Sequence, residues 1–239
     1  MKRVALLYML FQCISLLAWP VNKERTLQLI DKIKEKYLSI KDYQADINIT
    51  INVEFINIPD KKAHVYFKQP DKIKYESENF ILLPKKNMDF SLKDILNVQF
   101  TSVYVGKENT DSIESEVVKI IPLDPASEIV LATLWIDANN ARVIKIEANT
   151  RKNGSYIMNM IYNKISDILP QQVKVTFELT KMEIPFSFLL DSKPMFFNHD
   201  EGKQQTLGTV IISYSNYKIN SGISDTIFND SKDKTNRKK

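Results

Sequence analysis

The strongest constraint on the fold is a strict alternation of apolar and polar residues in the first quarter of the chain. Every second residue from Tyr43 to Phe55 is apolar, and the residues between them are polar. A period of two is that of a β-strand with one apolar face and one solvated face. The run is about twice the usual strand length. We therefore expect a long, bent strand whose apolar face must be covered by other side chains or by a ligand.

The next twenty residues continue this strand as an antiparallel meander. Pro59-Asp60 and Pro70-Asp71 are turn signals, because proline fixes φ and aspartate bonds to nearby backbone groups. Residues 63–67 are predicted to run back along the first strand, and residues 72–75 to begin a third. The apolar face then extends over neighbouring strands.

The remaining chain predicts about seven more strands, separated mostly by hairpin-type turns. Asn153-Gly154 is the clearest type I′ turn signal, residues 137–140 form another hairpin turn by composition, and residues 107–115 are predicted to be a polar loop. The predicted strands are 98–105, 116–123, 129–136, 142–149, 156–163, 173–182 and 207–219.

Helical periodicity is confined to two segments. Residues 24–38 predict an amphipathic helix whose apolar stripe is Leu27, Ile30, Ile33 and Tyr37, and residues 89–96 predict a short one. No βαβ alternation is present, so a nucleotide-binding α/β fold is not expected. The predicted class is mainly β (α+β): a curved antiparallel sheet forming an incomplete barrel, with helices covering its concave face.

The N-terminus has the pattern of a secretory signal peptide. Lys2 and Arg3 precede an apolar segment, residues 4–19, which is short for a transmembrane helix. We assign residues 1–20 to the signal, with an uncleaved anchor as the alternative. Cys13 is the only cysteine and lies within this segment, so disulfides are not expected. Residues 10–12 form a poor lipobox, although a lipidated Cys13 stays open.

Residues 21–228 are predicted to form one domain, followed by a disordered polar tail at 229–239. An apolar, poorly periodic insert spans residues 184–205. It is either a packed loop or a lid or docking element. Without Lys2 and Arg3 the chain has 31 basic and 29 acidic residues, spread along its length, so no nucleic-acid patch is predicted. A monomer is expected.

Signals for catalysis are weak. Only two histidines occur, His64 within a predicted strand and His199 in the insert. Neither has the companions of a metal site, and no nucleophile elbow or phosphate loop is present. We therefore expect a protein that is not an enzyme and needs no cofactor or metal. A hydrolase is disfavoured by the histidine count.

Apolar surface facing inward remains as the candidate functional feature. A curved sheet of long strands can enclose more volume than its own side chains fill, and such a cavity suits apolar ligands. An ordinary closed core explains the same pattern, and the pattern does not decide between them.

The order of motifs resembles the periplasmic outer-membrane lipoprotein carrier family (LolA-like, outer-membrane lipoprotein-sorting proteins). After the signal, first helix and long strand, residues 67–70 read FKQP and residues 72–75 read KIKY. Residues 135–137 (WID) and 143–146 (VIKI), then Leu169-Pro170 and residues 214–217 (YSNY), are similar to later segments of that family. The resemblance covers most of residues 24–228.

The resemblance implies a non-enzymatic periplasmic carrier that shields acyl chains during transport to the outer membrane. Its partners would be an acylated lipoprotein or other acyl lipid, an inner-membrane donor complex and an outer-membrane acceptor. The residues expected to line the cavity are Ile47, Ile49, Ile51, Val53, Val65, Phe67, Ile73 and Tyr75. The residues expected to form its lid are Leu92, Ile95 and Leu96.

Two features depart from the family pattern. The carriers have an arginine before the turn proline that helps to close the lid, and here that residue is Gln69. A glycine-containing hairpin is replaced by an apolar run ending at Pro84. A secreted interaction or lipid-sensing module on the same fold, with a dry core and docking through a sheet edge or the insert, is therefore the alternative.

Overall fold

The computed structural model describes residues 24–53, 56–57, 59–77, 99–151, 154–164, 167–178 and 207–229. The predicted signal segment, the helix at 89–96, the insert at 184–205 and residues 230–239 lie outside these ranges. Residues 24–38 are helical (α1), and a second helix, α2, covers Thr226–Asn229. The rest of the described chain is almost entirely strand and turn.

Eleven strands follow α1 in the order of the sequence. They are β1 Asp42–Val53, β2 Ile56–Asn57, β3 Lys61–Lys68, β4 Lys72–Glu76, β5 Phe100–Thr110, β6 Ile113–Pro122, β7 Ile129–Asp137, β8 Arg142–Thr150, β9 Ser155–Ile161, β10 Gln172–Glu178 and β11 Leu207–Ile219. The predicted long first strand and the last strand are confirmed almost to the residue.

Ten of these strands form one antiparallel sheet in the order β4-β3-β1-β11-β10-β9-β8-β7-β6-β5, and β2 pairs with β1 beside this path. The longest strand, β11, pairs with β1 from Tyr43↔Ile219 to Val53↔Gly208. The first and the last of these strands, β1 and β11, are therefore neighbours in the interior of the sheet. No pairing among the described residues joins β4 to β5, so the sheet is open, as predicted.

The register places one apolar residue from each of seven strands in a continuous row. Ile51 on β1 is followed across the sheet by Val210, Val175, Met158, Ile146, Leu134 and Val118. All belong to, or pack against, a single hydrophobic cluster. We call the side of the sheet that carries this cluster the inner face, and the opposite side the outer face.

Helix α1 contributes to the same cluster. Leu29, Ile30 and Ile33 are buried there with the inner-face residues. The predicted stripe was wrong at Leu27, which is 41% exposed; the fully buried residue of the first turn is Thr26 instead. The helix is rotated about its axis so that Thr26, which has an interaction partner, is buried in place of Leu27. Packing of further helices on the inner face is not seen in the described part of the chain.

The prediction of a polar loop at residues 107–115 was wrong. Strand β5 continues to Thr110 and β6 begins at Ile113, with a two-residue turn at Asp111 and Ser112. Both turn residues have positive φ, 50° and 67°, as tight hairpins require. The strands extend because an exposed hairpin tolerates polar side chains that pair across it: Lys107 Nζ donates to Glu114 at 2.7 Å.

Candidate ligand-binding face and the groove on the opposite face

The structure brings the predicted lining residues of β1 and β3 together on the inner face. Ile47, Ile49, Ile51 and Val53 of β1 and Val65 of β3 are 2–6% exposed and belong to one cluster. They share a face because strand residues two apart point the same way. Their adjacency across strands follows from the antiparallel register, in which Ala63 is opposite Ile47.

The remaining predicted residues of the meander lie towards the β4 edge of this face. Phe67 is buried and its ring stacks on Tyr43, with centroids 5.1 Å apart. Ile73 and Tyr75 of β4 are opposite Phe67 and Val65. Both are only partly buried against the cluster, so this edge has reachable apolar surface. Leu92, Ile95 and Leu96, predicted as lid, lie outside the described residues.

The inner face includes more strands than the sequence pattern had predicted for the cavity lining. Strands β9 and β10 add Tyr156, Met158, Met160 and Phe177 to the same cluster. The alternation of residues 156–162 was visible in the sequence, and it could have identified these residues once the strands were assumed to share one face. Methionine adapts to irregular apolar surfaces, so Met158 and Met160 can pack against neighbours of different shape.

Charged groups stay at the margins of the inner face. Arg25 of α1 donates to both carboxylate oxygens of Glu116, the Nε bond being 2.8 Å long. The Arg25 hydrogen bonds hold the pKa of the Glu116 carboxyl below its usual value. At the other end of α1, Lys36 Nζ donates to the carbonyl of Asn140 at 2.6 Å. The helix is thus held over the cluster at both ends by polar contacts.

Gln69 occupies the place where the family pattern has arginine. Its Nε2 donates to the carbonyl of Ile40 at 2.8 Å and lies 3.4 Å from the carbonyls of Tyr37 and Leu38. The carbonyls of Tyr37 and Leu38 belong to the last turn of α1, where carbonyl groups lack intrahelical N–H donors, and Ile40 lies just beyond it. Gln69 therefore ties the β3–β4 turn to the end of the helix that packs on the inner face.

A large open groove lies on the outer face. Its volume is about 1460 Å³, and its lining includes Asp46, Asn48, Lys62, Gln172 and Ser213. These residues alternate in sequence with inner-face residues, which places their side chains on the opposite side. Most of the residues that line the groove are polar, and their side chains lie on the side of the sheet opposite the apolar cluster.

His64 belongs to a hydrogen-bond network beside this groove. Its Nδ1 lies 2.6 Å from Asp46 Oδ1, and its Nε2 lies 3.2 Å from Gln44 Oε1. Asn216 Nδ2 donates to the other Asp46 oxygen at 2.7 Å. The Asn216 bond and then the His64 bond keep the pKa of Asp46 below its usual value. Both ring nitrogens of His64 thus have neighbours within the network.

The described residues were also compared with two other kinds of site, a metal centre and a membrane-spanning helix. Within the residues that the structure describes, no group of three or more histidine, cysteine, aspartate or glutamate side chains could hold a metal ion. In the same part of the chain, neither helix combines the length and the apolarity needed to cross a bilayer.

Comparison with known proteins gives structural likeness without sequence likeness. No protein-family model matches the chain, and no curated protein matches it. Among solved structures, it is similar to an outer membrane lipoprotein-sorting protein domain from Vibrio parahaemolyticus, with TM-score 0.55 and 13% identity over 84% of this chain and 96% of that one.

Two further solved structures have the same fold. A DUF1329 family protein from Desulfovibrio piger matches with TM-score 0.55 and 13% identity, over 87% of this chain and 97% of that one. A LolA superfamily protein from Nitrosomonas europaea matches with TM-score 0.50 and 11% identity, over 84% and 96%. The predicted resemblance to the lipoprotein-sorting proteins is therefore confirmed at the level of the fold.

Proposed function

We propose that this protein is a non-enzymatic carrier that binds the acyl chains of a lipoprotein or another acyl lipid against its inner face. The observation that carries the proposal is the continuous apolar row across seven strands of an open sheet. Its fold is that of proteins named for lipoprotein sorting, and this supports the assignment.

Hydrophobic transfer supplies the driving force. Each buried CH₂ contributes about 0.8 kcal/mol, so one long acyl chain gains on the order of 10 kcal/mol before the costs of association. The inner face needs no charge for this interaction, and its charged groups lie at the margins. A ligand of this kind is held by area and shape rather than by directed bonds.

Entry would occur where the apolar cluster is least closed. Ile73 and Tyr75 on β4 are partly buried, unlike the β1 residues. Strand β4 is also the last strand of the sheet path. An acyl chain that slides between this edge and α1 would displace side chains rather than strands, because the sheet's hydrogen bonds stay intact.

In this proposal the protein acts in the periplasm, delivered there by the signal peptide predicted at residues 1–20. It would receive its cargo from an inner-membrane donor complex and pass it to an outer-membrane acceptor. The chain would work as a monomer, because the half-barrel itself supplies both the sheet and its cover.

Native mass spectrometry of the purified protein, combined with lipid extraction, tests the proposal. We expect copurifying acyl lipid and saturable binding of a fluorescent fatty acid. Ile73→Asp places a carboxylate at the partly buried edge and should abolish binding while the fold persists. Ile49→Asp should abolish it too, although this residue is 2% exposed and its variant must first be shown to fold.

Ile157→Asp is the matched control. This residue lies on the outer face of β9 and is 36% exposed, so the same substitution should leave lipid binding unchanged. A folded protein that carries no lipid and binds neither fatty acid nor lipopeptide would refute the carrier. Equal losses in Ile73→Asp and Ile157→Asp would show that the binding site is not the inner face.

A binding module without a carrier role is the second candidate. The observation that favours it is the low exposure of the β1 residues and of Leu134, Ile136 and Ile146, at most 6%. A core this closed needs no ligand to complete it. The mass-spectrometric experiment separates the two functions, because the module would be stable and lipid-free.

A further inference from the structure

We propose that the outer-face groove is a second binding site, which takes a neutral oligosaccharide of about four sugar rings. The proposal is independent of lipid binding, because the sheet separates the groove from the inner face. Nothing in the carrier function uses the polar residues that line it.

The groove contains a regular ladder of side chains. Lys62, Asn48, Ser213, Gln172 and Ile161 are successive register partners on β3, β1, β11, β10 and β9, and all five line the groove. Neighbouring strands lie about 4.8 Å apart. The ladder is therefore roughly 19 Å long, with one side chain per strand spacing.

This spacing favours a glycan over a peptide. A sugar ring in an extended chain is about as long as one strand spacing, so each ring would meet one rung of the ladder. An extended peptide repeats its side-chain direction every two residues, or about 6.7 Å, and would lose register with the rungs. The backbone groups beneath are also engaged in sheet pairing, which removes the usual means of binding a peptide strand.

The chemistry of the lining fits hydroxyl groups. Carboxylates, amides and hydroxyls together offer both donors and acceptors, and each sugar hydroxyl can serve as either. The lining has three carboxylates and two lysine ammonium groups. This near balance gives no strong field for an ionic ligand. Pro59 and Ile161 provide small apolar surfaces for the C–H face of a ring.

One atom of the groove has no satisfied partner. Asn48 Oδ1 is buried and accepts no hydrogen bond. The amide nitrogen is distinguished from the oxygen because Asn48 Nδ2 donates to the carboxylate of Asp60 at 3.1 Å, and a carboxylate can only accept. An unpaired buried acceptor is unfavourable. Asn48 is the second rung, and the residue as a whole is only partly buried, so a turn of its amide towards the groove would let a ligand hydroxyl supply the missing donor.

The other rungs are held in place by neighbouring groups. Gln172 Nε2 donates to Ser213 Oγ at 3.2 Å, which leaves the Gln172 carbonyl oxygen directed elsewhere for acceptance. Asp46, which lines the groove outside the ladder, is held by His64 and Asn216. Side chains ordered before binding lose less entropy when the ligand arrives.

The test is an NMR titration of the isotope-labelled protein with cellotetraose and with tetraacetylchitotetraose. We expect saturable shifts in the side-chain amides of Asn48 and Gln172 with at least one probe, at a Kd on the order of 1 mM or below. Glucose alone should bind at least about tenfold more weakly, because it meets one rung only.

Asn48→Ala should weaken binding by about fivefold or more, which is one hydrogen bond, and Gln172→Ala provides a second variant if the first perturbs the fold. Lys119→Ala, exposed and outside the lining, is the control and should bind normally. Ile73→Asp should also bind sugar normally, which separates this site from the lipid site.

The proposal is overturned if neither tetrasaccharide gives saturable shifts in the groove, or if the shifts map to another surface. Unchanged affinity in both Asn48→Ala and Gln172→Ala would overturn it as well. Equal or tighter binding of a Gly-Ser octapeptide at the same amides would show that the groove is a peptide site instead.

Discussion

The two faces of the sheet satisfy their side chains in different ways. On the inner face, apolar residues from β1 and β6–β11 pack against one another. Ala45, Val118 and Leu134 have no measurable exposure. On the outer face, Asp46, His64 and Asn216 are satisfied by bonds to one another. The same strands serve both faces because alternate residues point in opposite directions.

The difference shows where each face is sensitive to change. The inner face stabilises the fold through close packing and buried apolar area. The loss of a methylene group there therefore lowers the free energy of unfolding, and an introduced charge lowers it further. The outer face derives little stability from its polar pairs, because exposed pairs are screened by water. A binding function on the inner face therefore competes with folding, whereas one on the outer face does not.

The largest effect should come from the buried ion pair that closes the β7–β8 hairpin. Arg142 Nε donates to Asp137 Oδ2 at 3.0 Å, with both side chains below 9% exposure. Arg142→Ala leaves the buried Asp137 carboxylate without its cationic partner, with only the bonds from Asn140 remaining, and should lower the free energy of unfolding by about 3–5 kcal/mol. Urea denaturation measures it.

The double variant Asp137→Leu/Arg142→Met is the control for that substitution. It removes both charges and should recover most of the lost free energy. A single variant as stable as the parent would mean that water, rather than the Arg142 side chain, compensates Asp137.

The next effect compares the faces directly. Leu134→Ala removes a fully buried inner-face side chain and should lower the free energy of unfolding by about 2–5 kcal/mol. Ile161→Ala removes an outer-face side chain that is 50% exposed and should change it by about 0.5 kcal/mol or less. Comparable losses, measured by urea denaturation, would contradict the assignment of the two faces.

A smaller effect is expected at the turn that joins the sheet to α1. Gln69→Ala removes the bond to the Ile40 carbonyl and should lower the free energy of unfolding by about 1 kcal/mol. Faster hydrogen exchange of the last turn of α1 would accompany it. Gln99→Ala, at an exposed glutamine beside β5, is the matched control and should leave both measurements unchanged.

The smallest effect is a pH dependence at the other end of α1. Because hydrogen bonds from Arg25 depress the pKa of Glu116 in the folded protein, this pair stabilises the fold above the unfolded value of about 4.3. That contribution is lost as pH falls through the depressed folded value. The parent should therefore be more stable than Glu116→Gln at pH 7, and the difference should shrink in acid.

Glu114→Gln is the control for this measurement. The Glu114 carboxylate pairs with Lys107 in an exposed hairpin, with a side chain 69% exposed. Its replacement should alter the acid dependence less than that of Glu116. A constant stability difference between the parent and Glu116→Gln from pH 7 to pH 3 would contradict the role of Arg25.

The local sequence pattern was sufficient to predict a structural element where the burial of its residues depends only on the element itself. The alternation of residues 43–55 identified β1 and its apolar face, and the turn residues at 137–140 identified the β7–β8 hairpin. The outer part of the β5–β6 hairpin, residues 107–115, was missed, because its polar strand ends resemble a loop until their cross-strand pairs are known. Leu27 was misplaced because a helix's rotation is set by what it packs against.

The candidate sites divide in the same way. The predicted inner-face residues of β1 and β3 could be read from the sequence, and the structure does bring them together. The outer-face ladder could not be predicted, because its rungs are separated by up to 165 residues in the chain, from Asn48 to Ser213. Only the pairing of β1 with β11 makes them neighbours.

By itself, the sequence determined which residues of each strand share a face, because the side-chain period of a strand is a local property of the backbone. Tertiary structure alone decided which strands adjoin, since register and order depend on contacts between distant segments. It also decided that Gln69 reaches the end of α1 and that Asn48 lies in the groove of the outer face. The long alternating strand is where the two meet, with its apolar residues on the proposed lipid face and its polar ones in the groove.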